Sequence, residues 1–220
     1  LYPGSPTSLI PGAAGAEPRG VGHDLGRELA RRLGVTFEPV VFERNAQVME
    51  AMKAGRLDAV FTNATADRAK DMDFAPPLLD LELGYLVPAG SRIGGLQDID
   101  RPGVRIGVSQ GSTSFGVLSR TLKQATVLQT PSFKVAIEML SSGKLDAFAT
   151  NKAVLFELSD ALRGSRVLDG RWGLEHIAFG IPKGRDAAMP YLRGFVEAAR
   201  GDGTVANAVE RAGLRGSVRN

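Results

Sequence analysis

The 220-residue chain has no cysteine, only two histidines and a single tryptophan. Without Cys there is no disulfide framework, no thiolate metal site and no cysteine nucleophile. His23 and His176 are too few for a histidine-rich metal centre, and neither has a partner at ligand spacing, so each reads as a structural or surface residue. No apolar run approaches the roughly 20 residues that span a bilayer. The opening Leu1-Tyr2-Pro3-Gly4 carries neither the charged nor the apolar region of an export signal. A dominant charge is missing too: 27 Lys+Arg against 24 Asp+Glu gives +3, and the basic residues are dispersed, which excludes the basic stripe of a nucleic-acid binder. With 43% hydrophobic and 23% charged residues, disorder is excluded, and the length suits one large domain or two small ones.

What is present is an internal repeat. Gly55-Arg56-Leu57-Asp58-Ala59-Val60-Phe61-Thr62-Asn63 and Gly143-Lys144-Leu145-Asp146-Ala147-Phe148-Ala149-Thr150-Asn151 agree at six of nine positions. Each copy follows an amphipathic helical pattern. In the first, Asn45 suits the N-cap, with Val48, Met49 and Met52 on one face; in the second, Ser132 suits the cap, with Phe133, Ile137 and Leu140 at helical spacing. The Gly suits the left-handed position that ends a helix, a short apolar strand follows, and Thr-Asn leaves the sheet as a loop. Helix, stop, buried strand and polar loop is half of a βαβ unit, so two copies predict two related α/β lobes.

Other segments fit. A helix is predicted after Asp24 on Leu25, Leu29 and Leu33, stopped by Gly34; a strand over Val35 to Val41; and a buried strand over Val104 to Val108 leading into Gly111-Ser112-Thr113 and another helix. Tyr85 to Val87 and Ile177 to Ile181 flank the second repeat, each followed by Pro. As two crossover strands they place residues 1–87 plus 178–220 in a first, discontinuous lobe and 88–177 in a second, with C-terminal helices near Tyr191 to Val196 and Thr204 to Val209. Two connections between lobes make a hinge and a cleft.

These segments, in order, resemble the amino-acid-type periplasmic solute-binding proteins of ABC importers, the bacterial extracellular solute-binding protein family three. The likeness rests on Pro18-Arg19-Gly20-Val21-Gly22-His23-Asp24-Leu25, Ala54-Gly55-Arg56-Leu57-Asp58-Ala59, Thr65-Ala66-Asp67-Arg68-Ala69-Lys70, Asp73-Phe74-Ala75-Pro76-Pro77, Val108-Ser109-Gln110-Gly111-Ser112-Thr113 and Gly201-Asp202-Gly203-Thr204. It implies two Rossmann-like α/β lobes of the type II periplasmic binding fold, and a first strand just ahead of Leu1, so that the chain starts within or after that strand. It also implies a monomeric, cofactor-free, metal-free and non-enzymatic receptor, exported to the periplasm, that closes on a carboxylate-bearing solute and delivers it to a membrane permease.

The resemblance makes Arg68 the carboxylate clamp. Independently, an Arg in the loop after a strand sits where α/β clefts bind ligands, and its planar fork can hold a carboxylate by two parallel bonds; the alternative is a surface pair with Asp67 or Asp71. Ser112 and Thr113, at a strand-to-helix turn, offer hydroxyls and free N–H groups to an anion, or simply cap the helix. Thr65 lies in the Arg68 loop. The position that in this family commonly carries an Asp for the ligand's ammonium falls on Asn151, and Asn63, Asn45, Tyr2 and Ser5 occupy further family site positions. Asn45, Asn63 and Asn151 around one Arg predict a neutral, amide-lined pocket. This suits an organic anion without a tightly held ammonium, or else a polar amino acid held by amide oxygens.

Three other readings compete. Gly107-Val108-Ser109-Gln110-Gly111 matches a nucleophile elbow, with His176 and Asp146 or Asp160 as partners in hydrolase order, though no oxyanion-loop motif precedes it. A cyclohexadienyl-dehydratase-like enzyme on the same fold needs a protonated cleft acid, for which Glu175 and Glu138 are candidates, Glu138 on a helix face suited to solvent. The third is a ligand-sensing module of a larger receptor. Trp172 is expected to pack under a loop, and Ser141-Ser142-Gly143-Lys144 ends a helix instead of opening one, unlike a phosphate loop.

Overall fold

The computed structural model describes residues 1–12 and 16–218. Seven helices are present among them: α1 (Val21–Leu33), α2 (Asn45–Lys53), α3 (Thr113–Thr121), α4 (Phe133–Ser141), α5 (Lys152–Ala161), α6 (Met189–Gly201) and α7 (Thr204–Ala212). The strands are β1 (Val60–Asn63), β2 (Met72–Phe74), β3 (Leu79–Val87), β4 (Arg105–Ser109), β5 (Thr126–Thr130), β6 (Ala147–Asn151), β7 (Arg166–Val167) and β8 (Gly173–Pro182). They join into one curled sheet of order β1-β8-β3-β6-β4-β5, with β2 on β8 and β7 on β3.

The long strands β3 and β8 pass between the two halves. They pair antiparallel from Leu79 opposite Ile177 to Leu83 opposite Gly173. Beyond that stretch β8 carries β1 and β2, while β3 carries β6 and β7. Beyond β6, strands β4 and β5 run parallel, as βα connections require. Apolar packing divides the same way. Val21, Leu25, Phe179, Phe195 and Val196 form one core, and Val48, Met52, Val60 and Met72 a second beside it. On the far side Tyr85, Ile106, Val108 and Leu118 form a third, and Leu86, Leu140, Phe148 and Leu155 a fourth. In both copies of the repeat the glycine stop and the strand form as predicted, Gly55 and Gly143 each having φ +67° after a helix with β1 and β6 following. Thr62-Asn63 and Thr150-Asn151, however, stay within those strands and do not leave the sheet as a loop, because β8 and β3 continue the ladder beside Asn63 and Asn151.

Several local expectations need correction. Val35 to Val41 is not a strand: the segment is irregular, with Val35, Val40 and Val41 exposed. β-branched residues favour a strand only where a neighbour supplies the ladder. Here the Leu1 ammonium donates to Val40 O at 2.9 Å and Phe42 N–H to Leu1 O at 2.9 Å, and no further pairing extends the contact among the described residues. Helix α1 begins at Val21, earlier than Asp24, because the Val21 and Gly22 N–H groups find acceptors in Pro6 O and Thr7 O. Asn45 is the first residue of α2, not its cap; Arg44 holds that position, its N–H bonded to Gln47 Oε1 at 3.1 Å. Ser132 does cap α4, accepting from Val135 N at 3.3 Å. Trp172 packs beside the third core and donates Nε1–H to Gly84 O at 3.0 Å.

Phe148 is fully buried and meets Phe133 edge-on at 6.3 Å between ring centroids. Phe148→Ala is expected to lower unfolding free energy by about 3–5 kcal/mol through the cavity left behind, as measured by urea denaturation.

Candidate functional site

The ends of β1, β4, β6 and β8 and the N-termini of α2, α3, α4 and α5 converge on a cavity of about 310 Å³ between the halves. Of the residues predicted from sequence, Arg68, Asn63, Ser112, Thr113, Asn151, Asn45 and Tyr2 line it. Ser5 does not: it is fully buried behind the wall, its hydroxyl 2.7 Å from that of Thr7. Thr65 also stays out of the cavity, its Oγ1 accepting from Arg68 N–H at 3.3 Å to shape the turn that presents the guanidinium.

Arg68 opens a short 3-10 turn, residues Arg68–Lys70, after β1. The surface-pair alternative does not occur, because Asp67 pairs with Lys70 at 2.7 Å and Asp71 with Lys53 at 3.0 Å. The Arg68 guanidinium donates to Thr62 Oγ1 and, at 3.3 Å, to Asn63 O, and reaches Gly111 O on the opposite side at 3.5 Å. All these acceptors are neutral, and among the described residues no carboxylate forms an ion pair with it. Burial therefore pulls its pKa below the ordinary arginine value, with Glu175 and Tyr2 opposing the shift. A desolvated cation without a counter-ion is costly, and a bound anion offsets that cost. Facing it, Ser112 stands at the N-cap of α3 without a capping bond, and its buried Oγ has no partner in the protein.

The three amides line the cavity, but their polar atoms are largely committed to the protein. Asn63 accepts from His176 N–H at 2.9 Å and donates to Thr113 Oγ1 at 3.1 Å. Asn151 caps α5 by accepting from Val154 N–H at 3.1 Å and donates to Glu175 Oε2 at 3.0 Å. Asn45 donates to Gly111 O at 3.3 Å. The neutral, amide-lined pocket is thus corrected: Glu175, Arg44, Lys134 and Glu43 also line the cavity. Glu175 is 9% exposed, and burial pushes its carboxyl up from the ordinary glutamate value, more than Asn151, Arg68 and Thr113 pull it down. Alternation along β8 carries the signal that finds it, since Glu175 and Ile177 share the cavity face while His176 turns outward.

The nucleophile-elbow reading does not survive. Ser109 lines the cavity, but His176 is exposed and lies 2.6 Å from Asp80, Asp146 is bonded to Arg105, and Asp160 pairs with Arg215 at 2.6 Å. Glu138 is exposed on α4, away from the cavity lining. His23 is buried, with Nδ1 3.1 Å from Asp24 Oδ1. Among the described residues no cluster of His, Asp and Glu is arranged to hold a metal ion, and no helix is long and apolar enough to cross a membrane.

Two α/β halves spanned by two strands, with a charged cavity between them, define a two-lobed solute-binding architecture. Residues 4–213 match the bacterial extracellular solute-binding proteins, family 3, and the chain belongs to that family. An ABC transporter glutamine-binding protein of Bacillus subtilis is 24% identical over 154 residues, 69% of this chain and 56% of that protein. The match therefore spans little more than half the length of that relative. An ancestral arginine-binding protein solved with bound arginine superposes with a TM-score of 0.82 at 25% identity, covering 96% of each chain. An ancestral amino acid-binding protein described as a precursor of cyclohexadienyl dehydratase gives a TM-score of 0.79 at 24% identity, covering 96% of this chain and 93% of that one, a likeness of fold.

A raised carboxyl pKa in the folded state means that ionising Glu175 opposes folding. The opposition is absent below the ordinary value of 4.5 and grows as pH rises through and above it. Ligand-free Glu175→Gln is therefore expected to melt above the wild type at pH 7, with the difference shrinking toward pH 4.5, as followed by thermal denaturation across that range.

Proposed function

We propose that this protein is the extracytoplasmic receptor of an ABC importer, binding a small carboxylate-bearing solute of the amino-acid class between its lobes and handing it to a membrane permease. The observation that carries the reading is the Arg68 guanidinium, desolvated and without a carboxylate partner, at the end of β1. Facing the unpartnered Ser112 hydroxyl and the N-terminus of α3, it forms an anion site drawn from both sides of the cleft. Family membership supports transport over catalysis, and relatives named for glutamine and arginine support the amino-acid class. The receptor works as a monomer, outside the cytoplasm, without cofactor.

In this reading residues 1–87 with 178–220 and residues 88–177 make up the two lobes, except that Tyr85 to Val87 at the end of β3 pack into the cores of the second, and the lobes move as two bodies about the β3–β8 crossover. The contacts across the cleft are those of a closed form: Asn63 to Thr113, Asn45 to Gly111 and Arg68 to Gly111. A solute held by Arg68 on one side and the α3 terminus on the other favours that form through its extra contacts there. Gly111 permits the approach. It has φ +77°, and a Cβ there would lie 2.9 Å from Ala46 Cα across the cleft.

A second reading, proton donation by Glu175 to a cyclohexadienyl acid, is favoured by the raised carboxyl and by the likeness to the dehydratase precursor. No turnover of such an acid is expected when aromatic product is followed by ultraviolet absorbance. Turnover abolished by Glu175→Gln would reverse the order of the two readings.

The receptor reading is tested by thermal-shift screening of the common L-amino acids and their organic-acid analogues. At a hundredfold excess over Kd a true ligand stabilises the protein by about 2.7 kcal/mol. Arg68→Met should erase that shift without lowering ligand-free stability, since it removes a part-buried cation that has no ion-pair partner among the described residues. A wild-type shift retained in full by Arg68→Met would defeat the reading. Gly111→Ala should weaken binding by roughly tenfold or more in calorimetric titration while costing about 1–2 kcal/mol in stability, the penalty of an L-residue at positive φ.

A further inference from the structure

We propose that Arg44, with Lys134, receives a second negatively charged group on the solute, so that the cleft selects an acidic amino acid over its neutral amide. The inference rests on the receptor reading above and deepens it by naming the charge of the solute's side chain.

Local structure places Arg44 for this role. It is the extended N-cap residue of α2, held there by the bond from its own N–H to Gln47 Oε1 at 3.1 Å. From that fixed start the side chain crosses the cleft and brings Nη1 to 3.5 Å from Gln110 Oε1. This contact is at the outer limit of a hydrogen bond, and its acceptor is neutral. Nε, on the opposite edge of the guanidinium, is buried without a partner. A guanidinium carries five N–H donors, and those along one edge match the two oxygens of a carboxylate. Arg44 leaves most of that capacity unused among the described residues, and a buried donor without an acceptor is costly until an anion reaches it.

The charges of the cavity favour the same occupant. Arg44, Arg68 and Lys134 line it with two carboxyl groups, Glu43 and Glu175. Among the described residues none of the three cations forms an ion pair. Glu43 is exposed and solvated by water, and Glu175 is buried on β8, its Oε2 taken by Asn151 Nδ2 at 3.0 Å. Lys134 stands in the first turn of α4, so the cations come from both sides of the cleft, and the N-termini of α2 and α4 add partial positive charge. Arg44 and Arg68 both reach the turn between β4 and α3, at Gln110 and at Gly111, which adjoin in the chain. Two like charges drawn to one turn by neutral oxygens repel each other, and bound anions relieve that repulsion. A solute with one carboxylate satisfies Arg68 and leaves Arg44 and Lys134 facing the cavity uncompensated, whereas a solute with two satisfies both ends.

The test is calorimetric titration of the wild type with L-glutamate against L-glutamine and L-aspartate against L-asparagine, pairs that differ in charge at nearly constant shape. In the pair that binds more tightly, the acid should exceed its amide by roughly 10- to 100-fold, the range of a charged hydrogen-bonded contact. Arg44→Met, checked for folding by circular dichroism, should reduce that preference to about threefold or less while leaving the amide's affinity nearly unchanged, and Lys134→Gln should reduce it partially. Equal or tighter wild-type binding of the amides overturns the inference, and that comparison needs no variant. So does a folded Arg44→Met that keeps the preference, or binding confined to other neutral or basic amino acids; each of these results leaves the receptor reading standing. Binding confined to organic acids overturns the inference and removes the amino-acid class from the receptor reading. Binding of neither class overturns both.

Discussion

The antiparallel pairing of β3 with β8 is the constraint on which the site depends. Five residue pairs, Leu79 with Ile177 to Leu83 with Gly173, tie two separately packed halves together at the base of the cavity. The same register decides which residues of β8 face inward. Leu81, fully buried, lies opposite Glu175, which places that carboxyl on the cavity floor, while His176 opposite Asp80 is turned to solvent. A slip of one residue would exchange the two and leave the cleft without its buried carboxyl group.

Around that crossover the two copies of the repeat do related work. Each supplies a helix, a glycine stop, a buried strand and a terminal Asn, and each Asn is pinned by a main-chain N–H: Asn63 by His176 across the β1–β8 pair, Asn151 by Val154 at the start of α5. The amides thus behave as fixed relays. They orient Thr113 and Glu175, whose hydroxyl and carboxyl meet the cavity, and the chemical character of the cleft lies in those groups and in Arg68. Burial makes both charged groups expensive in the ligand-free protein, and this cost supplies a driving force for binding.

Much of the fold was legible locally. Glycine stops at Gly34, Gly55 and Gly143, the cap at Ser132, and the apolar strands of the repeat express backbone preferences that hold over a few residues. The Val35 to Val41 prediction failed because strand formation is a property of a pair, and β-branched composition says nothing about whether a neighbour is present. The position of Arg68 after β1 was readable for the same local reason, whereas Ser5 and Thr65, chosen by alignment to a pattern, turned out to support the wall from behind.

By itself the sequence determined the two α/β lobes and an arginine at a strand end, since helical and strand periodicity and glycine stops are encoded within short windows. Only the tertiary structure decided that Asn63 and Asn151 are committed to the protein and that Glu175 is the buried carboxyl of the cleft. Those outcomes depend on strand register and on which N–H groups, up to 113 residues away, reach each side chain. Register is fixed by burying whole faces of a sheet, an energy summed over many residues and visible in no single segment.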